Sequence, residues 1–325
     1  MNRKHSHGEQ RVLSGRWTTF IRWFDSWAGS DTSEEEQPRR VDWVRIIPFL
    51  SMHAMCLGVL WVGWSWTAVV VAVGLYLVRM FAITAFYHRY FSHRTFKTAR
   101  WSQFLFALLG TTAIQRGPLW WAAHHRHHHR YSDQPRDRHS PLQHGFLWSH
   151  SGWFTARANF PTNLDAVRDL AKFPELCFLD RFDSLVALAL ASLLYTLGSV
   201  LAAVAPDLHT SGMQLLIWGF FISTVVLYHA TYTINSLAHQ IGRQRYATGD
   251  SSGNSFLLSL VTLGEGWHNN HHHYPATVRQ GFYWWEWDPT YYLLRVFAWM
   301  GLVWDLKPLP PHIRDTHRGD LVRAA

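Results

Sequence analysis

Residues 66–93 read WTAVVVAVGLYLVRMFAITAFYHRYFSH. From Trp66 to Tyr87 the only charge is Arg79, and the run then opens at once on His88 and His93. A helix needs about twenty predominantly apolar residues to cross the hydrocarbon core of a bilayer, so the stretch predicts a membrane span that delivers two histidines to one surface. Three further stretches reach a comparable length, Ile46 to Trp64, Leu185 to Ala205 and Met213 to Ile234. The mean hydropathy of −0.10 conceals these spans, because nearly all the charge and most of the histidine lie between them. Arg79 is costly inside a span and predicts a side chain that faces protein or water, or that snorkels or pairs near the cytoplasmic side.

The joints between spans give the orientation. Only Ser65 separates the first two, and Pro206 to Gly212 contains one acid and no Lys or Arg, whereas the middle segment holds Arg89, Arg94, Lys97, Arg100, Arg116, Arg126 and Arg130. The positive-inside bias places that segment and both termini in the cytoplasm. Tryptophans at the span ends (Trp43, Trp61, Trp64, Trp66) suit the headgroup level. Trp101 to Ile114 and Tyr291 to Trp304 are too short to span and read as interfacial or buried cytoplasmic helices. Trp17, Phe20, Ile21, Phe24 and Trp27 recur at helical spacing and predict a short amphipathic helix ahead of the acidic Ser33 to Glu36 stretch. The expected organisation is a polar extension over 1–40, one membrane domain over 41–312 and a tail over 313–325. The fold class is all-α, with four transmembrane helices under a cytoplasmic helical cap.

Composition removes several functions. The net charge of +8 comes from dispersed residues without a Lys/Arg block, which argues against nucleic acid. Two cysteines, Cys56 and Cys177, exclude a disulfide framework, a Cys-rich zinc site and an ordinary iron–sulfur cluster. The polar start shows no cleavable secretory signal.

The 22 histidines concentrate in three clusters and one outlier, His239. Residues 88–93 read HRYFSH, 124–129 read HHRHHH, and 268–273 read HNNHHH. The second and third each contain histidines at i, i+3 and i+4 (His125, His128, His129; His268, His271, His272), offsets that share a helix face. His88 and His93 are five apart, about 140° around a regular helix, so they meet only if the helix ends or distorts there. Eight imidazoles are too many for one ion and suit two. Imidazole alone does not choose among Zn, Cu, Fe and Ni, while a structural zinc site closes at four ligands.

These residues carry a resemblance. The order HRYFSHRT (88–95), HRHHH (125–129), NSLAH (235–239) and HNNHH (268–272) is similar to that of the membrane fatty-acid desaturases, especially the bacterial members of the stearoyl-CoA (acyl-CoA delta-9) desaturase branch, over about Ile46 to Pro308. The resemblance implies two iron ions (Fe2+/Fe3+) held by His88, His93, His125, His128, His129, His239, His268, His271 and His272, with Asn235 reaching a metal through water. It further implies an acyl tunnel bending at Trp121 and Thr231, with Tyr76 at its methyl end, roughly 18 Å below His88 on a helix. Glu265, Asp133, Asp137 and Asp250 are candidates, by proximity, to hold the ligands' other ring nitrogens. His124, His127 and His273 sit off the pattern.

An unactivated methylene has no acidic proton, so its oxidation needs an oxidant made from dioxygen. The implied reaction introduces a cis double bond into a saturated acyl chain, carried as a fatty acyl thioester, expected to be acyl-CoA and delta-9, or as an acyl lipid. Ala123 and His124 stand where the animal enzymes place a charged pair associated with CoA, which leaves the head group open. No haem, dinucleotide or cysteine-cluster motif is present, so electrons are expected from a separate ferredoxin-like or cytochrome-type carrier with its reductase. A membrane hydroxylase or alkane monooxygenase is the nearest alternative. A metal transporter or storage protein is a more distant one, since transporters hold their ligands near the bilayer midplane. The expected location is a bacterial inner membrane.

Overall fold

The computed structural model describes residues 15–28 and 40–316, and the acidic stretch at 33–36 and the tail beyond 316 lie outside it. The elements that position the site are α1 (Gly15–Phe24), α2 (Ile47–Val62), α3 (Trp66–Ser92), β1 (Lys97–Thr98), α4 (Arg100–Thr111), α5 (Pro118–Tyr131), α6 (Asp183–Val204), α7 (Gly212–His239), α8 (His268–His273), α9 (Pro289–Trp299) and β2 (Val303–Trp304). β1 and β2 form a single antiparallel ladder, Lys97 opposite Trp304 and Thr98 opposite Val303. Apart from three isolated bridges, the rest of the described residues are helix and connecting loop.

Among the described residues three helices, α3, α6 and α7, are long and apolar enough to cross a membrane, at 27, 22 and 28 residues. The first expected span forms the apolar α2 but is shorter, because Gly63 takes a positive φ of 63° and ends the helix before Trp64. Ser65 then caps α3, accepting from the amide of Ala68 at 3.1 Å. The second hairpin closes as tightly. A Cβ on Gly198 would lie 2.4 Å from the Ser211 carbonyl, so only glycine lets α6 and the start of α7 approach this closely.

Arg79 resolves its own burial. It is 1% exposed, faces the bundle rather than lipid, and donates to Thr224 Oγ1 at 2.6 Å and Ser223 Oγ at 2.7 Å. It neither snorkels nor pairs with a carboxylate. It ties α3 to α7 through hydroxyls, which satisfies the guanidinium without a second buried charge.

The two shorter apolar stretches form α4 and α9, and both pack on the end of α3. Phe106 stacks on Phe86 at 3.8 Å, and Phe297 meets Phe81 at 5.5 Å. The amphipathic helix ends at Phe24, one turn earlier than the spacing predicts, and leaves Phe20, Ile21 and Phe24 exposed. Trp27 follows in a turn, where its indole donates to Asp180 at 2.8 Å and anchors the segment to the cap.

Candidate metal centre

The spacing of five in the first cluster is met by the helix itself. Ala82–Ser92, the last part of α3, is wound as a π-helix, and the amide of His93 donates to the carbonyl of His88 at 3.2 Å. Bonding from i to i+5 brings residues five apart onto one face. The rings of His88 and His93 are accordingly 4.9 Å apart. Pro118, at the first turn of α5 where its missing amide costs nothing, opens the helix that presents the second cluster. The third is the whole of α8, and the end of α7, tightened into a 3-10 turn at Leu237–His239, supplies the outlier.

These segments converge into two groups. His88, His93, His125, His129 and His271 form one; His128, His239, His268 and His272 form the other. Within each, one nitrogen of every ring lies within 4.8 Å of the rest. In the first, Nε2 faces Nε2 at 2.8 Å (His93 and His125), 2.9 Å (His88 and His271; His129 and His271) and 3.0 Å (His125 and His129). Two imidazole nitrogens each about 2.1 Å from one ion, at right angles, stand about 3.0 Å apart, so these separations fit donors gathered on a cation. His272 Nε2 in the second group is buried without a hydrogen-bond partner, a cost that an ion would remove.

Four of the outward nitrogens are clamped. Nδ1 of His272 lies 2.6 Å from Asp250, that of His128 3.0 Å from Asp137, and that of His239 3.2 Å from Asp133. Nδ1 of His88 contacts Glu265. All four carboxylates singled out by proximity therefore sit on a cluster histidine. A carboxylate at Nδ1 keeps the proton there and turns the Nε2 lone pair inward. Burial alone would raise the Glu265 carboxyl, but His88 and Arg89 hold it below its ordinary value. Arg89 is itself fixed between Glu265 at 3.2 Å and Asp288 at 2.9 Å. Burial, reinforced by neighbouring rings, drives His93, His125, His129, His268 and His271 well below the ordinary histidine range. They stay neutral, the form that ligates metal.

A cavity of about 610 Å³ runs from this centre between α2, α6 and α7. Trp121, Thr231, His125 and Asn235 line it beside the histidines, and the charged Arg45, Arg116 and Asp183 line it as well. Trp121 stacks on His125 at 4.9 Å, and Gln115 donates to Thr231 at 2.7 Å. Tyr76 is not among the described residues lining the cavity. Its hydroxyl donates to the Val261 carbonyl at 2.5 Å.

The histidines off the pattern serve the protein around them. His124 packs on Trp120 at 4.3 Å, His127 bonds the Arg136 carbonyl at 2.9 Å, and His273 stacks on Tyr246 at 4.0 Å. Two residues escaped the sequence reading. Gln280 is buried and donates to Glu265 at 3.1 Å beside His88, and nothing in its local sequence marks it. His139 shares Asp137 with His128 and stacks on that ring at 4.4 Å. Its position two residues after a candidate clamp was an available signal.

A family model for fatty acid desaturases matches residues 64–306, which contain every residue of both histidine groups. Among curated proteins, the chain is 38% identical to a chloroplastic palmitoyl-monogalactosyldiacylglycerol delta-7 desaturase of Arabidopsis thaliana over 84% of its own length and 71% of the relative's. It is 35% identical to an sn-1 stearoyl-lipid 9-desaturase of Anabaena variabilis, over 82% and 94% respectively. Against an acyl-CoA 5-desaturase of Anemone leveillei the identity is 33%, over 87% and 88%. A match across most of the chain to proteins of one chemistry, on a helical frame that gathers its histidines into two groups, establishes that this chain belongs to the fatty acid desaturase family.

Proposed function

We propose that the chain desaturates long acyl chains at two irons, one held by His88, His93, His125, His129 and His271 and the other by His128, His239, His268 and His272, with Asn235 contributing through water. The observation that carries this reading is the division of nine imidazoles into two convergent groups. Nitrogen donors of this kind suit iron, and no thiolate competes. Bound iron supplies the oxidising power of dioxygen once two electrons arrive from a separate ferredoxin-like or cytochrome-type carrier.

The chain's own residues supply the rest. The apolar cavity excludes water and holds the acyl chain extended. Trp121, stacked on His125, and the Gln115–Thr231 bridge narrow the passage beside the metals, so that one pair of methylenes comes to rest there. The four clamping carboxylates keep His88, His128, His239 and His272 in one tautomer. Ala123 and His124 are both buried and present no charge to a CoA moiety, which favours an acyl-lipid substrate, in keeping with two of the three relatives named above. The metal side and both termini face the cytoplasm on this reading. Cysteine-accessibility labelling at position 209, after replacement of Cys56 and Cys177, should then react only from outside.

Expression in cells unable to make monounsaturated fatty acids, with mass spectrometry that locates the double bond, tests the function. A new alkene at one position of lipid-bound chains is expected. A hydroxylated product would favour the monooxygenase alternative and overturn the reading.

A further inference from the structure

A second cavity, of about 580 Å³, shares no lining residue with the first. Its walls come from α9, β2 and the segments around Arg279 and Lys307. Four cations line it, Arg279, Arg295, Lys307 and Arg314, against one acid, Asp305. Asp305 is already paired, 2.8 Å from Lys97, and Arg314 is 2.7 Å from Asp315. Arg279, Arg295 and Lys307 have no carboxylate partner among the described residues.

Two of these cations share one ring. The guanidinium of Arg279 stands 5.4 Å from the centre of Tyr291 and that of Arg295 5.9 Å, with Arg295 donating to the Tyr291 hydroxyl at 3.1 Å. Arg279 is held by the Tyr283 carbonyl at 3.0 Å, and its Nε is buried without a partner. Like charges gathered at one ring repel, and a phosphate between them would convert that repulsion into charge-assisted hydrogen bonds.

The depth of the cleft identifies the source of the phosphate. Phe297 of α9 packs on Phe81 and Phe86, at 5.5 and 6.4 Å, so α9 lies level with the turns of α3 just before His88. Its outer face leaves Leu293, Val296, Met300 and Trp299 exposed, the last at 87%. An apolar, tryptophan-bearing face at the end of a span belongs in the headgroup layer. A basic cleft beside it is where a lipid phosphate would lie while its chains follow the helix.

We propose that this cleft binds the phosphate of an anionic phospholipid, held by Arg279, Arg295 and Lys307. The site rests on the membrane placement of α9 and not on the metals or the substrate. Full-length protein in neutral detergent, titrated at low salt with phosphatidylglycerol or phosphatidylcholine and read by native mass spectrometry, tests it. Phosphatidylglycerol should bind in preference, and each cation removed should weaken it about fivefold. Because Arg279→Gln also loses its anchor to Tyr283, the deciding variant is Arg295→Gln with Lys307→Gln, both exposed, for which about 25-fold is expected. Arg168→Gln, an exposed arginine paired with Asp165 three residues before it and absent from the cleft lining, should bind as the parent does. Equal binding of the two lipids, or unchanged binding by the double variant, would overturn the site. Equal affinity for inorganic phosphate would also overturn it, by showing a soluble-anion site instead.

Discussion

The two histidine groups draw on the same two helices in opposite proportion. α5 sends His125 and His129 to the five-histidine group and His128 to the other; α8 sends His268 and His272 to the four-histidine group and His271 to the first. Each i, i+3, i+4 triplet is thus split, with the i, i+4 pair on one side. Adjacent residues on a helix diverge by about 100°, so His128 beside His129, and His271 beside His272, point into different groups. Their surroundings differ as well. Three carboxylates, Asp133, Asp137 and Asp250, clamp the group of four, while Glu265 alone serves the group of five. One group has the more imidazoles and the other the more clamping carboxylates.

The sharpest way to break this comparison is to remove one donor from each side. His128→Ala and His271→Ala are each expected to lower turnover by more than about 100-fold, beyond the usual effect of losing an outer partner. Both proteins should remain in the membrane, and each should lose iron chiefly from its own group. Full activity with normal iron content in either variant would sink the assignment.

A gentler test separates the clamps. Asp250→Asn keeps shape and removes charge, and a loss of about 10–100-fold in metal affinity or activity is expected. Glu265→Gln should act similarly on the other group, with the added cost of freeing Arg89 beside Asp288. Chelator competition on both variants measures the asymmetry. If Asp250→Asn and Glu265→Gln release the same ion at the same chelator concentration, the two groups are not independent.

Much of this centre was legible in the chain because helical spacing is a local property. The triplets of α5 and α8, and the need for a distortion between His88 and His93, follow from 3.6 residues per turn. That the distortion is a π-helix rather than a helix end was not legible, since its i to i+5 bonds depend on packing around Phe86 and Tyr87. The shortened α2 turns on one positive φ at Gly63. Tyr76 is a related case: twelve residues set its depth below His88, but the π-wound turns from Ala82 onward break the regular 100° step, so the direction of its side chain does not follow from spacing.

The smallest expected effect concerns where the acyl chain ends. Of the nine histidines, His125 alone lines the cavity, so the chain approaches from the five-histidine side, with Asn235 of α7 opposite. At the far end the lining includes Ala191 of α6 and Phe220 of α7. Phe220 precedes Asn235 by fifteen residues, about 22 Å along a helix, a depth similar to the one that first pointed to Tyr76. Phe220→Ala should lengthen the cavity and raise the share of eighteen- over sixteen-carbon product a few-fold, and Ala191→Phe should lower it. Truncating a buried Phe costs about 3–5 kcal/mol and filling a packed site about 1–3 kcal/mol, so both variants lose stability. Instability lowers yield in both cases alike, whereas a change of cavity length moves the product ratio in opposite directions. Tyr76→Ala, which loses only its bond to Val261 and its packing, should leave the ratio where it was. A shift with Tyr76→Ala and none with the other two would put the chain's end back on α3.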